Sequence, residues 1–254
     1  MKKVLLGLVA TLAAASIPSI SYAQFSGNVS LTSDYRYRGI SQTRLKPALQ
    51  GGLDYGLPGG FYIGTWASTI KWIKDAQGDA NLELDLYGGY KGEITKEASY
   101  DVGLLQYLYP SAKTAAWDAI YKDPNTTEIY GALTYGPVTA KLSYALTNLF
   151  GNYNFATNEK SKGSYYFDLS GTWDLGSGVS IVPHIGYQKV EHIDNASYTD
   201  YSVTLSKDLG AGFSVSGAIV GTDADKNFYV PGVAANSTKF LGKTSGVVSV
   251  KYVF

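Results

Sequence analysis

The stretch GVVSVKYVF at residues 246–254 alternates without a break. Val248, Val250, Tyr252 and Phe254 fall on one side of an extended strand and Val247, Ser249 and Lys251 on the other, because successive side chains of a strand point to opposite faces. One face is therefore apolar, and the other carries a hydroxyl and a charge. Such a strand serves either at the edge of a soluble sheet or as the closing strand of a barrel. The rest of the chain decides between them.

The same period recurs upstream. In 28–37, Val29, Leu31, Tyr35 and Tyr37 oppose Ser30, Thr32, Asp34 and Arg36, with Arg38 following on the polar side. In the fourth segment Leu82, Leu84, Leu86 and Tyr90 oppose Glu83, Asp85, Tyr87 and Lys91; in 138–146, Val138, Ala140, Leu142 and Tyr144 oppose Thr139, Lys141, Ser143 and Ala145. Further segments fall at 48–55, 61–68, 100–109, 128–135, 165–173, 179–187, 198–206 and 213–220, which makes twelve strands in all. Ten and fourteen stand as alternatives. The segments 61–68 and 100–109 alternate poorly, and Trp72 and the stretch 112–122 read equally as loop, short helix or strand extension.

The connections alternate in length. Leu57-Pro58-Gly59-Gly60, the link around Thr95, Gly136-Pro137, 174–178 and 208–212 are short, whereas 110–126, 147–164 and 222–245 are long. Short turns on one edge and long loops on the other match an outer-membrane barrel, in which an even strand count returns both ends to the short-turn side. A lipocalin-like soluble barrel mimics only part of this pattern. The expected fold is an all-β, antiparallel up-and-down transmembrane β-barrel forming one domain over 24–254. Val250, Tyr252 and Phe254 are then the signal read by the outer-membrane barrel-assembly machinery.

Composition agrees. Charged residues are 17% of the chain, below the roughly 25% of soluble domains, and 22 tyrosines with 29 glycines suit a strand wall with aromatic rims. Tyr37, Tyr55, Tyr90, Tyr109, Tyr135, Tyr187 and Tyr252 lie towards segment ends, where such rings settle at lipid headgroups. The absence of cysteine excludes disulfides, thiolate nucleophiles and cysteine-based metal sites. A net charge of +0 removes the usual footprint of nucleic-acid binding. No phosphate-cradling loop or zinc spacing appears, so no cofactor is implied. Met1-Lys2-Lys3, an apolar run over 4–17 and Ser21-Tyr22-Ala23 before Gln24 read as a secretory signal peptide over 1–23, cleaved after Ala23. The apolar run falls short of the ~20 residues of a spanning helix, and no later segment reaches that length. A membrane-embedded mature chain must therefore cross as a closed barrel, because backbone groups in hydrocarbon need internal partners. The expected location is the outer membrane of a Gram-negative bacterium, in contact with its lipid.

Five stretches carry a family resemblance: SDYRYRGISQT at 33–43, PALQGGLDY at 47–55, GFYIGTW at 60–66, NLELDLYGGY at 81–90 and YDVG at 100–103. Together they resemble the TorF family of porins. The likeness is specific in the first half of the chain and reduces to a strand rhythm in the second. It implies an outer-membrane channel and brings no solute with it.

If the apolar positions face lipid, the alternate positions face a lumen. These carry Asp34, Arg36, Arg38, Asp54, Glu83, Asp85, Asp101, Glu128, Lys141, Asp168, His184 and Lys251. Ionised groups in a dry interior cost several kcal/mol each unless paired, a cost that a wetted lumen removes. The expectation is a water-filled path for small polar solutes or ions, with acids in excess; the competing reading is a lumen plugged by ion pairs, since small barrels are filled by their own side chains. Arg36 and Arg38 either line a constriction or pair with Glu83 and Asp85. A hydrolase needs a nucleophile beside a base, and with only His184 and His192 in the chain an enzyme is the weaker reading. Aromatic loop stretches at 149–155 and 226–231 leave a third role, adhesion through loops, although covering the barrel mouth suits them better.

Overall fold

The computed structural model describes residues 24–254; the signal-peptide expectation lies outside the described residues. Twelve antiparallel strands form a closed barrel: β1 Gln24–Thr32, β2 Ala48–Gly56, β3 Phe61–Thr69, β4 Leu82–Glu93, β5 Ala98–Leu108, β6 Thr126–Tyr135, β7 Val138–Ala145, β8 Tyr165–Gly171 continued by Trp173–Gly176, β9 Val179–Lys189, β10 Tyr198–Gly210, β11 Phe213–Thr222 and β12 Ser245–Val253. Each strand pairs with the next in sequence. Closure comes from β12 on β1, with Tyr252 opposite Val29 and Val250 opposite Leu31. The alternatives of ten and fourteen strands fall away.

The outward face is apolar along every strand. Leu31, Leu49, Ile63, Leu86, Leu104, Leu133, Leu142, Phe167, Ile185, Val203, Ile219 and Val248 all lie exposed, and at 60% for Leu133 and 62% for Ile219 they have no protein to pack on. An apolar band of this kind is stable only against hydrocarbon. Among the described residues no helix is long and apolar enough to cross a membrane.

Turns between β2 and β3, β4 and β5, β6 and β7, β8 and β9, and β10 and β11 are short, and the other six connections are longer, as the sequence indicates. What the sequence does not show is that the long loops fold inward. The segment Asn28 to Tyr37 is not one strand: β1 stops at Thr32, and the loop 33–47 (loop 1) forms a small hairpin of Arg36–Tyr37 on Ile40–Ser41. The β3–β4 and β5–β6 connections carry short helices, Trp72–Asp75 and Ala115–Asp118. These loops bury a core of their own within the barrel's loop end: Tyr35, Ile73, Leu105, Tyr107, Tyr109, Trp117 and Tyr130, with Tyr37, Trp72, Tyr121 and Phe150 packed against them. Tyr37 and Tyr109 are therefore interior rings, which corrects their assignment to the lipid rim; Tyr55, Tyr135 and Tyr187 do lie exposed outside. Outside the strands, Arg44 makes a forked contact with Asp75, its Nε donating to Oδ2 at 3.0 Å, which ties loop 1 to the first helix and raises the arginine's pKa further.

Candidate functional site

Antiparallel register places inward residues of neighbouring strands side by side, and one such row runs Lys91, Asp101, Ala132, Lys141, Asp168, Gly186, Asp200 across β4 to β10. Cations and anions intersperse along it. Lys91 Nζ lies 3.7 Å from Asp101, and Lys141 Nζ sits 4.0 Å over the ring of Tyr130. His184 stands among carboxylates, Nε2 at 2.6 Å from Asp168 and Nδ1 at 3.6 Å from Asp200. Tyr166 bridges the same group, donating to Asp200 Oδ2 at 2.9 Å with its hydroxyl 3.1 Å from His184 Nε2. Carboxylates on both sides of the ring, with a tyrosine hydroxyl beside one of them, suit a structural histidine rather than a general base. His192 is an exposed loop residue whose Nδ1 lies against the Lys160 carbonyl at 2.8 Å.

Tyrosines form a second set. Tyr87 donates to Asp54 at 2.6 Å, and Tyr62 donates to Asp101 at 2.6 Å while also meeting Tyr130. Their rings lie flat over inward-facing glycines of the next strand: a Cβ at Gly89 would stand 2.5 Å from the Tyr62 hydroxyl, and one at Gly103 2.5 Å from that of Tyr130. Asp54, Asp101 and Asp168 thus each have a partner on the wall. Lys251 lies half-buried between Ser30 and Ser214 on β12. The wall formed by β10, β11, β12 and β1 is otherwise lined by small hydroxyl side chains, including Ser202, Thr204, Ser214, Ser216, Ser249 and Ser30.

Towards the loops the lumen closes. Glu83 is buried and receives the hydroxyls of Tyr35 at 2.6 Å and Tyr109 at 3.1 Å. Asp85 and Glu128 are buried beside it, each with one carboxylate oxygen lacking a protein partner. Arg38, at the tip of the loop 1 hairpin, reaches across the lumen: Nη2 donates to Glu128 Oε2 at 2.7 Å and Nη1 to Gln188 Oε1 at 2.6 Å. Arg36 does not pair with Glu83 or Asp85. Its Nε donates to Asp34 at 2.5 Å, and its Nη atoms reach the carbonyls of Gly39 and Leu241 and the hydroxyl of Ser245, which staples the hairpin to the loop 223–244 (loop 6). Asp34 also receives Ser41 Oγ and Thr43 Oγ1. Asp34, Arg36 and Arg38 belong to an infolded loop, not to a wall strand. Phe150 meets Tyr37 and Tyr107 edge-on at 5.4 and 5.2 Å and so joins the loop core, whereas Phe155 of the same stretch lies exposed.

Sequence parity alone would have added Gln188, Tyr130 and Tyr166 to the inward set, since each lies an even number of positions along its own strand from an assigned inward residue; the strands of Tyr62 and Asp200 carried no assigned inward residue to count from. The hairpin left no such signal. Among the described residues no group of three histidine or acidic side chains is arranged to hold a metal ion.

The chain belongs to the Gcw_chp family, described as a bacterial protein of unknown function, whose model matches residues 16–254. None of the curated proteins matches it in sequence. Solved structures share its fold. The KdgM porin superposes with a TM-score of 0.54 at 10% identity, over 92% of this chain and 99% of that one. The NanC porin gives 0.53 at 9% identity, over 91% and 98%. A second KdgM structure, in complex with disordered oligogalacturonate, matches equally well at 0.54 and 10%.

Proposed function

We propose that this Gcw_chp chain is an outer-membrane porin that passes small polar solutes and ions through a lumen of mixed charge, the channel role that its resemblance to the TorF porins implies. The observation that carries this reading is the combination of an apolar outer face with a charged interior: Lys91, Asp101, Lys141 and Asp168 share one inward row, interrupted by Ala132, and are only part-buried. A barrel meant to be solid has no use for such a row, because each ion loses hydration for modest pairing. The fold shared with the KdgM and NanC porins supports the same class. The chemistry differs from what a polyanion needs. Asp34, Asp54, Glu83, Asp85, Asp101, Glu128, Asp168 and Asp200 outnumber Arg36, Arg38, Lys91, Lys141 and Lys251 inside, which favours neutral or weakly cationic solutes over an acidic saccharide such as the one present with KdgM.

The infolded loops favour a second state of the same channel, closed at the mouth, over an adhesion role. Planar-bilayer recordings of the purified chain, alongside a variant whose loop 1 hairpin 36–41 is replaced by a short glycine-serine link, test this. Discrete conductance steps, larger in the hairpin variant, are expected. Membranes that stay silent with both proteins overturn the channel reading in favour of a structural barrel.

A further inference from the structure

We propose that the pocket now filled by Arg38 is a binding site for the guanidinium or primary ammonium group of a cationic solute, with the hairpin arginine acting as a built-in competitor. The inference deepens the channel reading and names the chemistry of its tightest point.

The pocket belongs to the wall, and its occupant belongs to a loop. Glu128 on β6, Gln188 on β9 and Tyr166 on β8 are fixed by strand pairing, whereas Arg38 is carried on a two-residue hairpin tip. The fit is that of a cation receptor: a carboxylate oxygen at 2.7 Å, an amide oxygen at 2.6 Å, and the face of Tyr166 with its centroid 4.3 Å from the guanidinium carbon. Planar donors aimed at a carboxylate and stacked on an aromatic face are the preferred setting of a guanidinium. Glu128 is 1% exposed, and its second oxygen has no partner in the protein. Asp85, within electrostatic reach of Glu128, holds another unpartnered oxygen. Negative charge in the pocket therefore exceeds what Arg38 satisfies. Lys141, the next cation on the wall, sits over Tyr130 and acts on Glu128 only through its field, beyond ion-pair distance.

The occupant is held in a conformation that favours release. Arg38 has φ of 47° and Gly39 of 79°, both in the left-handed region; for a residue bearing a Cβ this is a strained state that persists only while its contacts last. If the hairpin lifts, Glu128 is left buried without a paired counter-ion, keeping only the Tyr107 hydroxyl at 3.3 Å and the more distant field of Lys141, a state that any cation small enough to enter relieves. A solute cation and Arg38 thus exclude one another, and arrival of the solute is coupled to opening of the mouth.

Methylguanidinium is the probe. Binding to the mature chain folded in detergent micelles, followed by saturation-transfer NMR with heat-modifiable gel mobility as the fold control, should be at least tenfold tighter for Arg38→Ala than for the wild type, and should return to the wild-type level in Arg38→Ala/Glu128→Gln. Arg38→Met, which keeps the aliphatic stem over Tyr166, serves if the alanine variant does not assemble. Tetramethylammonium, which has no N–H donors, should not compete. Equal binding by the wild type and the arginine variants overturns the site, as does binding that survives Glu128→Gln. In bilayers the Arg38→Ala current should be blocked by methylguanidinium at the concentration that saturates binding. Silent bilayers with intact, Glu128-dependent binding sink the channel reading and leave the site standing; steady current with no methylguanidinium effect sinks the site and leaves the channel.

Discussion

Gly39 shows how one residue sets the closed mouth. A Cβ at this position would stand 2.4 Å from Thr222 Cγ2 and 2.7 Å from Asp200 Cβ, on β11 and β10, two and three strands from β1. The Asp200 Cβ is fixed by its backbone, and the Thr222 methyl moves only by a χ1 turn that also carries off the hydroxyl bonded to Gly242. Gly39→Ala should therefore cost about 1–2 kcal/mol for the left-handed backbone and about 1–3 kcal/mol for overpacking. Urea unfolding in liposomes should show the loss, with larger single-channel current because the hairpin is lifted. Thr222→Ser removes one of the two clashing atoms and keeps the hydroxyl that donates to Gly242, so it should recover part of both effects; an unaltered current in Gly39→Ala would show that the hairpin does not govern the mouth. At this scale the sequence was readable for wall residues and silent for the loop. Glu128, Lys141, Asp168 and His184 follow from parity because a strand leaves a side chain only two directions. Arg36 and Arg38 are inside for another reason: their strand has ended, and the chain has doubled back through positive-φ residues that no alternation encodes.

Strands and loops differ in the same way at the scale of elements. The count of twelve strands was legible, since lipid on one side and a polar interior on the other impose period two on most of them, although 61–68 and 100–109 alternate poorly and the first strand stops at Thr32, short of where the alternation runs. The register was fixed by short turns that leave no slack. The inward fold of the loops depends instead on scattered tertiary contacts, such as Phe150 on Tyr107 or Arg36 on Leu241, between residues far apart in sequence. The closing strand provides a test. Phe254 exchanges backbone hydrogen bonds with Gly27, 2.9 Å each way, and its ring lies over that glycine so closely that a Cβ there would stand 2.6 Å from it. Gly27→Val should displace the ring and weaken closure of β12 on β1, and removing Phe254 should impair outer-membrane insertion more than it alters any current. Loss of the heat-modifiable gel band in both variants is the expected result; normal assembly of the variant lacking Phe254 would undo its assignment as an assembly signal. Loop 6 allows a second test. The Tyr229 hydroxyl donates to the Ala196 carbonyl at 2.5 Å, and burial holds this phenol above its ordinary pKa. A raised folded-state pKa means that stability is fully present below the unfolded value, about 10, and is lost as pH rises beyond it. The stability gap between wild type and Tyr229→Phe, measured by thermal melting, should therefore be constant up to about pH 9 and change above it in favour of the phenylalanine variant.

For the molecule as a whole, the distribution of charge matters more than its sum. The chain has a net charge of +0, yet its inward groups are acid-rich, and the excess lies beneath the loop 1 hairpin, where Glu83, Asp85 and Glu128 face the single arginine. Towards the short turns Asp54, Asp101 and Asp168 are matched by Lys91, Lys141 and Lys251. An ion crossing the open barrel thus meets a nearly neutral vestibule and then one acidic zone. Selectivity should arise at that zone, which predicts a modest cation preference in a KCl gradient. Because the Debye length falls from about 10 Å at 0.1 M to about 3 Å at 1 M, a preference set by a wide, wetted wall would collapse on adding salt. One set by buried, partly desolvated carboxylates is screened much less and should persist. Reversal potentials measured at both salt levels separate the two cases. Glu128→Gln should abolish the persistent part, while Asp54→Asn should leave it unchanged. Anion preference at low salt, or equal effects of the two substitutions, would mean that the zone under the hairpin does not control what crosses the barrel.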